Sequence, residues 1–205
     1  MRISILIGCW CICFMAMGQH AVPVPSFAKK ATAWRIERNS RMQIKGQSNI
    51  GSITCDNPSY KRVDTVWLLH NATGDSVEIR GKIQVAMVDF SCHNYFFTTM
   101  LRKTLKVDEH PMMTVRFARL DKLPIQRVGA VSKVYGTVEI SLAGVTRLFS
   151  LPIEVSEIAQ GVIKLQGWRI CRLEDFNLKS PGRVAFIKVK NECRVEFELQ
   201  LTRLH

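Results

Sequence analysis

The chain has 205 residues, 47% of them hydrophobic and 22% charged, the balance of an ordinary globular protein, which excludes disorder, collagen and low-complexity sequence. Twenty-nine Lys plus Arg against 17 Asp plus Glu give a formal charge of +12 and a pI near 9.7, which favours anionic partners: nucleic acid, an anionic membrane surface or an acidic headgroup. A mean hydropathy of +0.03, with no apolar run as long as about 18 residues, excludes a helical membrane protein.

At the amino end, Arg2 precedes an uncharged apolar run from Ile3 to Met17, followed by Gly18, Gln19, His20 and the loop-like Val22-Pro23-Val24-Pro25. This is the pattern of a secretory signal peptide, with small residues at Ala16 and Gly18 placing cleavage after Gly18. At about 1.5 Å rise per residue the run is too short for a roughly 30 Å hydrocarbon core. The expected organisation is a signal peptide over 1–18, a linker over 19–33 and one domain over 34–205 in an exported, periplasmic or secreted protein. Cys9, Cys11 and Cys13 leave with the signal, so four cysteines remain: Cys55, Cys92, Cys171 and Cys193. An even number in an exported chain points to disulfides. Zinc is the competing reading, but no two of the four form a close ligand pair and none has a histidine at finger-like spacing.

Trp34 to Cys55 reads as one or two strands, broken at Gly46 and Gly51. From Val77 to Met87 the chain alternates: Val77, Ile79, Ile83, Val85 and Met87 share one parity and Glu78, Arg80, Lys82 and Gln84 the other, which predicts one long half-buried strand. Tyr95 to Lys106 is the one helical stretch, with Phe96, Phe97, Met100, Leu101 and Leu105 at spacings of three and four, ending before His110-Pro111. Alternation returns in Met113, Val115 and Phe117; in Val134, Val138, Ile140 and Leu142; in Phe149, Leu151, Ile153 and Val155; and in Val195, Phe197, Leu199 and Leu201. Around Gly167 the parity slips, from Ile163 and Leu165 to Trp168 and Ile170, which predicts a bulge. Cys171 and Cys193 are equidistant from Gly182, so a hairpin turning near Ser180-Pro181-Gly182 brings them face to face, as a second bridge or as two buried thiols.

About eight strands with short turns and one helix define an all-β sandwich or barrel. In the last strand Arg194, Glu196, Glu198 and Gln200 oppose the apolar set, so the polar face meets water and the apolar face points inward. A membrane barrel needs the reverse, because a charge on the lipid face costs roughly 2 to 4 kcal/mol near the midplane. The interior of so small a barrel is either filled by side chains or open to one small ligand.

Trp34-Arg35-Ile36, the run from Gly136 to Arg147 and Asp175-Phe176-Asn177-Leu178 resemble stretches of the YceI-like family. Trp34, Arg35 and Ile36, followed by Ser40 and Gly46-Gln47-Ser48-Asn49, are similar to its opening strands. The run from Leu105 to Phe117 is similar to its helix end, turn and following strand; Gly136 to Arg147 resembles its "G-x-L-T-I-x-G-V-T-K/R" hairpin; and Asp175-Phe176-Asn177-Leu178 resembles its "D-F-G-I" turn, with Asn177 in place of glycine. The resemblance spans Trp34 to Thr202. It implies a lipocalin-like antiparallel barrel, periplasmic or secreted, holding a polyisoprenoid or similar long-chain amphiphile. Ile53-Thr54-Cys55 and Phe90-Ser91-Cys92-His93-Asn94 resemble a Bacteroidetes variant of the family, which implies that Cys55 and Cys92 are bonded.

The residues expected to line the lumen are Ile83, Val85, Met87, Val115, Phe117, Val138, Ile140, Phe149, Leu151, Ile153, Phe197 and Leu199, each of which also serves as plain core. Arg102, Lys103 and Lys106 on the helix can attract a phosphate headgroup or an anionic bilayer at the mouth. GxSxG, HExxH, Gly-Lys-Ser/Thr and CxxCH motifs are all absent from the sequence, so no enzyme, cofactor or metal site is expected. His70, His93 and His110 are scattered, and Asn71-Ala72-Thr73 is a sequon that reads as a turn. A nucleic-acid role fits neither the exported compartment nor the lack of aromatics among the basic residues. Two functions stay open: a carrier of a hydrophobic amphiphile, and a non-catalytic structural or interaction module with a filled barrel.

Overall fold

A computed structural model describes residues 30–70, 76–122, 124, 127–184 and 186–204. The expected signal peptide over 1–18, most of the linker and the sequon at Asn71 lie outside the described residues. The strands run β1 Lys30–Ile36, β2 Arg41–Ser48, β3 Gly51–Asn57, β4 Thr65–His70, β5 Val77–Arg80, β6 Ile83–Ala86, β7 Met112–Leu120, β8 Val131–Leu142, β9 Val145–Ala159, β10 Val162–Arg172, β11 Arg183–Val184 and β12 Ile187–Arg203. One helix, α1, spans Tyr95–Thr104. β1 begins at Lys30, so the last residues of the expected linker belong to the barrel.

Every pairing between these strands is antiparallel, and the circuit β1-β4-β5-β7-β8-β9-β10-β12 returns to β1. These are about the eight strands that alternation predicts. Closure depends on the length of β12. Its carboxyl end pairs β1 (Trp34↔Arg203 to Ile36↔Leu201), while its middle pairs β2 (Glu198↔Arg41 to Cys193↔Gly46). The chain turns at Glu37–Ser40 between these two partners, and the Ser40 amide donates to the Glu37 carbonyl at 3.1 Å. β3 extends the sheet beyond β2 and meets the segment before α1, where the Asp56 and Ser91 amides and carbonyls exchange hydrogen bonds of 2.8 and 2.9 Å. Cys55 and Cys92 are bonded beside this bridge, as the resemblance implies.

Two strand expectations need correction. The Val77–Met87 run is two strands, β5 and β6, both paired to β7. The break is Gly81, at φ +113°, where a Cβ would stand 2.7 Å from the Thr65 carbonyl oxygen; only glycine lets the chain turn this close to β4. The expected bulge at Gly167 is absent: β10 keeps one register with β12 from Val162↔Thr202 to Arg172↔Glu192, and the irregularity lies at Val162/Ile163 against β9. Trp168 (44% exposed) and Ile170 (55%) therefore face outward, and Arg169 and Cys171 face the interior.

The charged face of β12 meets solvent. Lys45 pairs with Glu196 at 2.8 Å, Arg41 with Glu198 at 3.2 Å, and the Arg194 guanidinium lies 4.1 Å from the Trp168 ring centre. Such exposed pairs contribute up to about 1 kcal/mol each. The opposite face, with the inward sides of β4 to β10, forms a single core that includes Trp34, Ile36, Val66, Val77, Leu120, Ile153 and Leu201.

Candidate functional site

The two halves of the barrel interior differ. In the half enclosed by β1, β4 and β5, the inward side chains close on each other and leave a void of only about 20 Å³. In the half beneath α1 a cavity of about 150 Å³ remains. Its walls are Met42 and Ile44 from β2, Ile53 from β3, Met113 and Val115 from β7, Val138 and Ile140 from β8, Leu151 from β9 and Val195 from β12. Helix α1 roofs it with Phe97, Met100, Leu101 and Thr104, a stripe at spacings of three and four. The Asn94 side chain starts that helix by accepting from the Phe96 and Phe97 amides at 2.8 and 3.3 Å. The floor is Ile83, Phe117, Phe197 and Leu199, with the two phenyl rings edge to face at 5.9 Å between centres.

Of the twelve expected lining residues, Ile83, Met87, Val115, Phe117, Val138, Ile140, Leu151, Phe197 and Leu199 border this cavity. The other three do not. Val85 packs lower, near Ser40, Asn57 and Tyr60. Ile153 is fully buried beneath Gly136. Phe149 lies against Phe176 at 6.0 Å between ring centres, under the Arg169 guanidinium. Alternation identifies the inward face of a strand but not the height of a side chain along the barrel axis, which separates solid core from cavity wall. The contributions of β2, β3 and the Leu173–Phe176 turn were missed because their apolar residues are too few to show a period.

The four cysteines divide into two pairs. Cys55–Cys92 ties β3 to the entry of α1, and the Cys92 amide is held by the Thr98 hydroxyl at 3.0 Å. The second expected bridge is not formed. Cys171 and Cys193 are directly opposite in the β10–β12 ladder, yet both are free thiols, and Cys193 Sγ faces the Cys171 carbonyl oxygen at 3.7 Å instead of the Cys171 sulfur. Burial pushes the Cys193 thiol up to about 12, reinforced by Cys171 and Asp175. Burial also raises Cys171, with Asp175 adding to the rise and the Arg169 cation opposing it. Both are therefore held as thiols rather than thiolates at neutral pH. In a chain beginning at Gln19, denaturation without reductant should expose two titratable thiols out of four, and native protein should alkylate slowly. A count of zero would show a second bridge.

Of the residues expected to attract anions, Arg102 and Lys103 lie on α1 and Lys106 follows its end. Arg102, Lys103 and Lys106 are exposed, and Arg102 donates to the Val88 carbonyl at 2.7 Å. His93 contacts an Asp56 carboxylate oxygen at 2.6 Å, and the His110 ring lies over Gly144. Among the described residues, no three His, Cys, Asp or Glu side chains gather as metal ligands.

A closed antiparallel barrel with an apolar half-lumen under a helical roof is a lipocalin-like architecture, and comparison with solved structures places it more narrowly. The chain has the fold of YceI-like barrels. It is similar to a polyisoprenoid binding domain from Saccharophagus degradans implicated in plant cell wall breakdown, with a TM-score of 0.63 and 12% identity, covering 83% of this chain and 98% of that one. It is also similar to BcnA of Burkholderia cenocepacia, at TM-score 0.53 and 12% identity over 78% and 95% of the two chains. A mutant form of the Campylobacter jejuni YCEI protein matches at TM-score 0.52 and 13% identity over 71% and 84%. No family model and no curated protein matches the sequence.

Proposed function

We propose that this protein is an exported binding protein that takes the apolar chain of a long-chain amphiphile, such as a polyisoprenoid or fatty chain, into the half-lumen under α1. The observation that carries this reading is the contrast between the halves: side chains fill one to near solidity and leave the other open and lined mostly by apolar side chains. The lining residues are then the ligand contacts. Each buried methylene of a ligand contributes about 0.8 kcal/mol, so a dozen outweigh association costs of several kcal/mol. The likeness to a polyisoprenoid binding domain supports the ligand class. The Cys55–Cys92 bridge and the leader-like first residues support an oxidising compartment. The exposed cations Arg102 and Lys103 on the roofing helix suit an anionic bilayer that delivers or receives the ligand.

The cavity volume favours a second reading. A space of about 150 Å³ is smaller than the roughly 300 to 1,000 Å³ of pockets for drug-sized ligands, as expected of a scaffold with a largely filled barrel. A chain ligand therefore requires the unbranched Met42, Met87, Met100 and Met113 side chains to swing aside, with the helical roof yielding too. Protein purified from its own envelope, denatured and extracted, should release a long-chain amphiphile detectable by mass spectrometry. Repeated recovery of empty protein that also fails to bind a fluorescent fatty-chain probe would establish the scaffold instead.

A further inference from the structure

Apart from Thr104 in the roof, the polar and charged groups bordering the open half-lumen gather on the β10–β12 side, where Arg172, Lys190 and Glu192 also border it. Inward positions of β10 and β12 put Arg169, Cys171, Asn191 and Cys193 side by side, with Cys171 opposite Cys193, Arg169 opposite Val195, and Asn191 two residues before Cys193 on the same face. Between Val189 and Cys193 the ladder to β2 is interrupted, which turns Asn191 toward the cavity without a place in the β2 register.

Two atoms of this patch are buried and unmatched: Nε of Arg169 and Oδ1 of Asn191. Arg169 spends one terminal nitrogen on the Ser150 carbonyl at 2.9 Å, and its guanidinium plane lies 4.4 Å from the centre of the Phe149 ring. It has no carboxylate partner among the described residues. The nearby Glu192 is engaged by Arg172 at 3.1 Å, and Asp175 accepts from the Arg172 amide at 3.0 Å. A half-buried guanidinium with a buried idle donor and no carboxylate in contact is unfavourable on its own. Leucine would serve packing better.

We infer that Arg169, with Asn191 beside it, is a headgroup subsite of the lumen and that the amphiphile it selects is anionic, with a carboxylate or phosphate head. This rests on the reading of the half-lumen as a chain-binding site. Guanidinium presents Nε and a terminal nitrogen as a planar fork that fits two oxygens of either head. Asn191 offers both an acceptor and donors, so it bonds the ionised oxygen or the hydroxyl of a phosphate monoester. Position supports the assignment as well. The β9–β10 ladder ends at Gly167↔Ile153, so from Arg169 upward the wall between these strands is side chains, and a head placed there keeps contact with solvent while its tail extends into the lumen.

The test compares hexadecanoate, hexadecyl phosphate and hexadecanol, three ligands with one tail, by calorimetry on delipidated protein with its disulfide intact. Both anions should bind about tenfold or more tightly than the alcohol, the scale expected of a charge-assisted bond. Arg169→Gln should remove that preference by costing both anions more than it costs hexadecanol, Arg169→Lys should restore part of it, and Asn191→Leu should weaken the anions more than the alcohol. A preference between the two anions assigns the head as acid or phosphate. Equal affinity for all three in the wild type overturns the headgroup subsite and leaves the chain-binding site standing. Failure of all three to bind overturns both. Because the wild-type comparison needs no variant, an Arg169→Gln protein that does not fold leaves the inference open to refutation.

Discussion

Replacing Cys55 and Cys92 together by serine should lower the unfolding free energy by about 4 kcal/mol, the chain-entropy value for a closed loop of 37 residues. For a domain of this size each kcal/mol moves the melting temperature by roughly 2 to 4 °C, so calorimetry should show a fall on the order of 8 to 16 °C. The effect exceeds that of any surface pair because of what the bridge connects. β3 lies outside the closed circuit of strands and is paired on one side only to β2. Its other contact is the short bridge between Asp56 and Ser91. Without the sulfurs, β3 and the entry of α1 are held mainly by that bridge and by the His93–Asp56 contact, so the helical roof loosens along with global stability. A reduced or serine protein melting within about 2 °C of the wild type would show that the bridge constrains an already compact unfolded chain.

The same local logic explains which parts of the molecule were readable from sequence. Strands with one wet face and one oily face, β7, β8, β9 and the second half of β12, print their alternation plainly, and there the inward residues of the structure match the expected ones. The reading failed where one residue overrode the pattern. Gly81 carries the apolar parity across a break that only its backbone angle reveals. In β10, Arg169 occupies an inward position and Trp168 and Ile170 occupy outward ones, so the apolar residues follow the wrong parity and imitate a bulge. That mismatch is the trace in the sequence of the polar patch in the lumen, and it takes the same form as a backbone irregularity. The height of the cavity floor left no trace at all, because Phe117 on the floor and Ile153 in the solid half obey the same period.

That floor is where packing and ligand binding can be separated. Phe117→Ala should cost about 3 to 5 kcal/mol, since the ring is buried at 5% exposure against Phe197 and its neighbours can collapse only in part. Phe117 borders both the open cavity and the small void in the packed half, so its removal joins the two into one deeper lumen. Stability and binding should then move in opposite directions. Each additional methylene reaching the new depth gains about 0.8 kcal/mol, so the step in affinity from dodecanol to hexadecanol should be larger in the variant than in the wild type. Phe117→Leu, which conserves more volume, should lose less stability and gain less reach. A variant that is destabilised as expected but keeps the wild-type dependence on chain length would show that the tail does not run down the barrel axis toward this ring. The tail would then lie between α1 and the upper strands, with the methionines and not the phenylalanine floor setting its length.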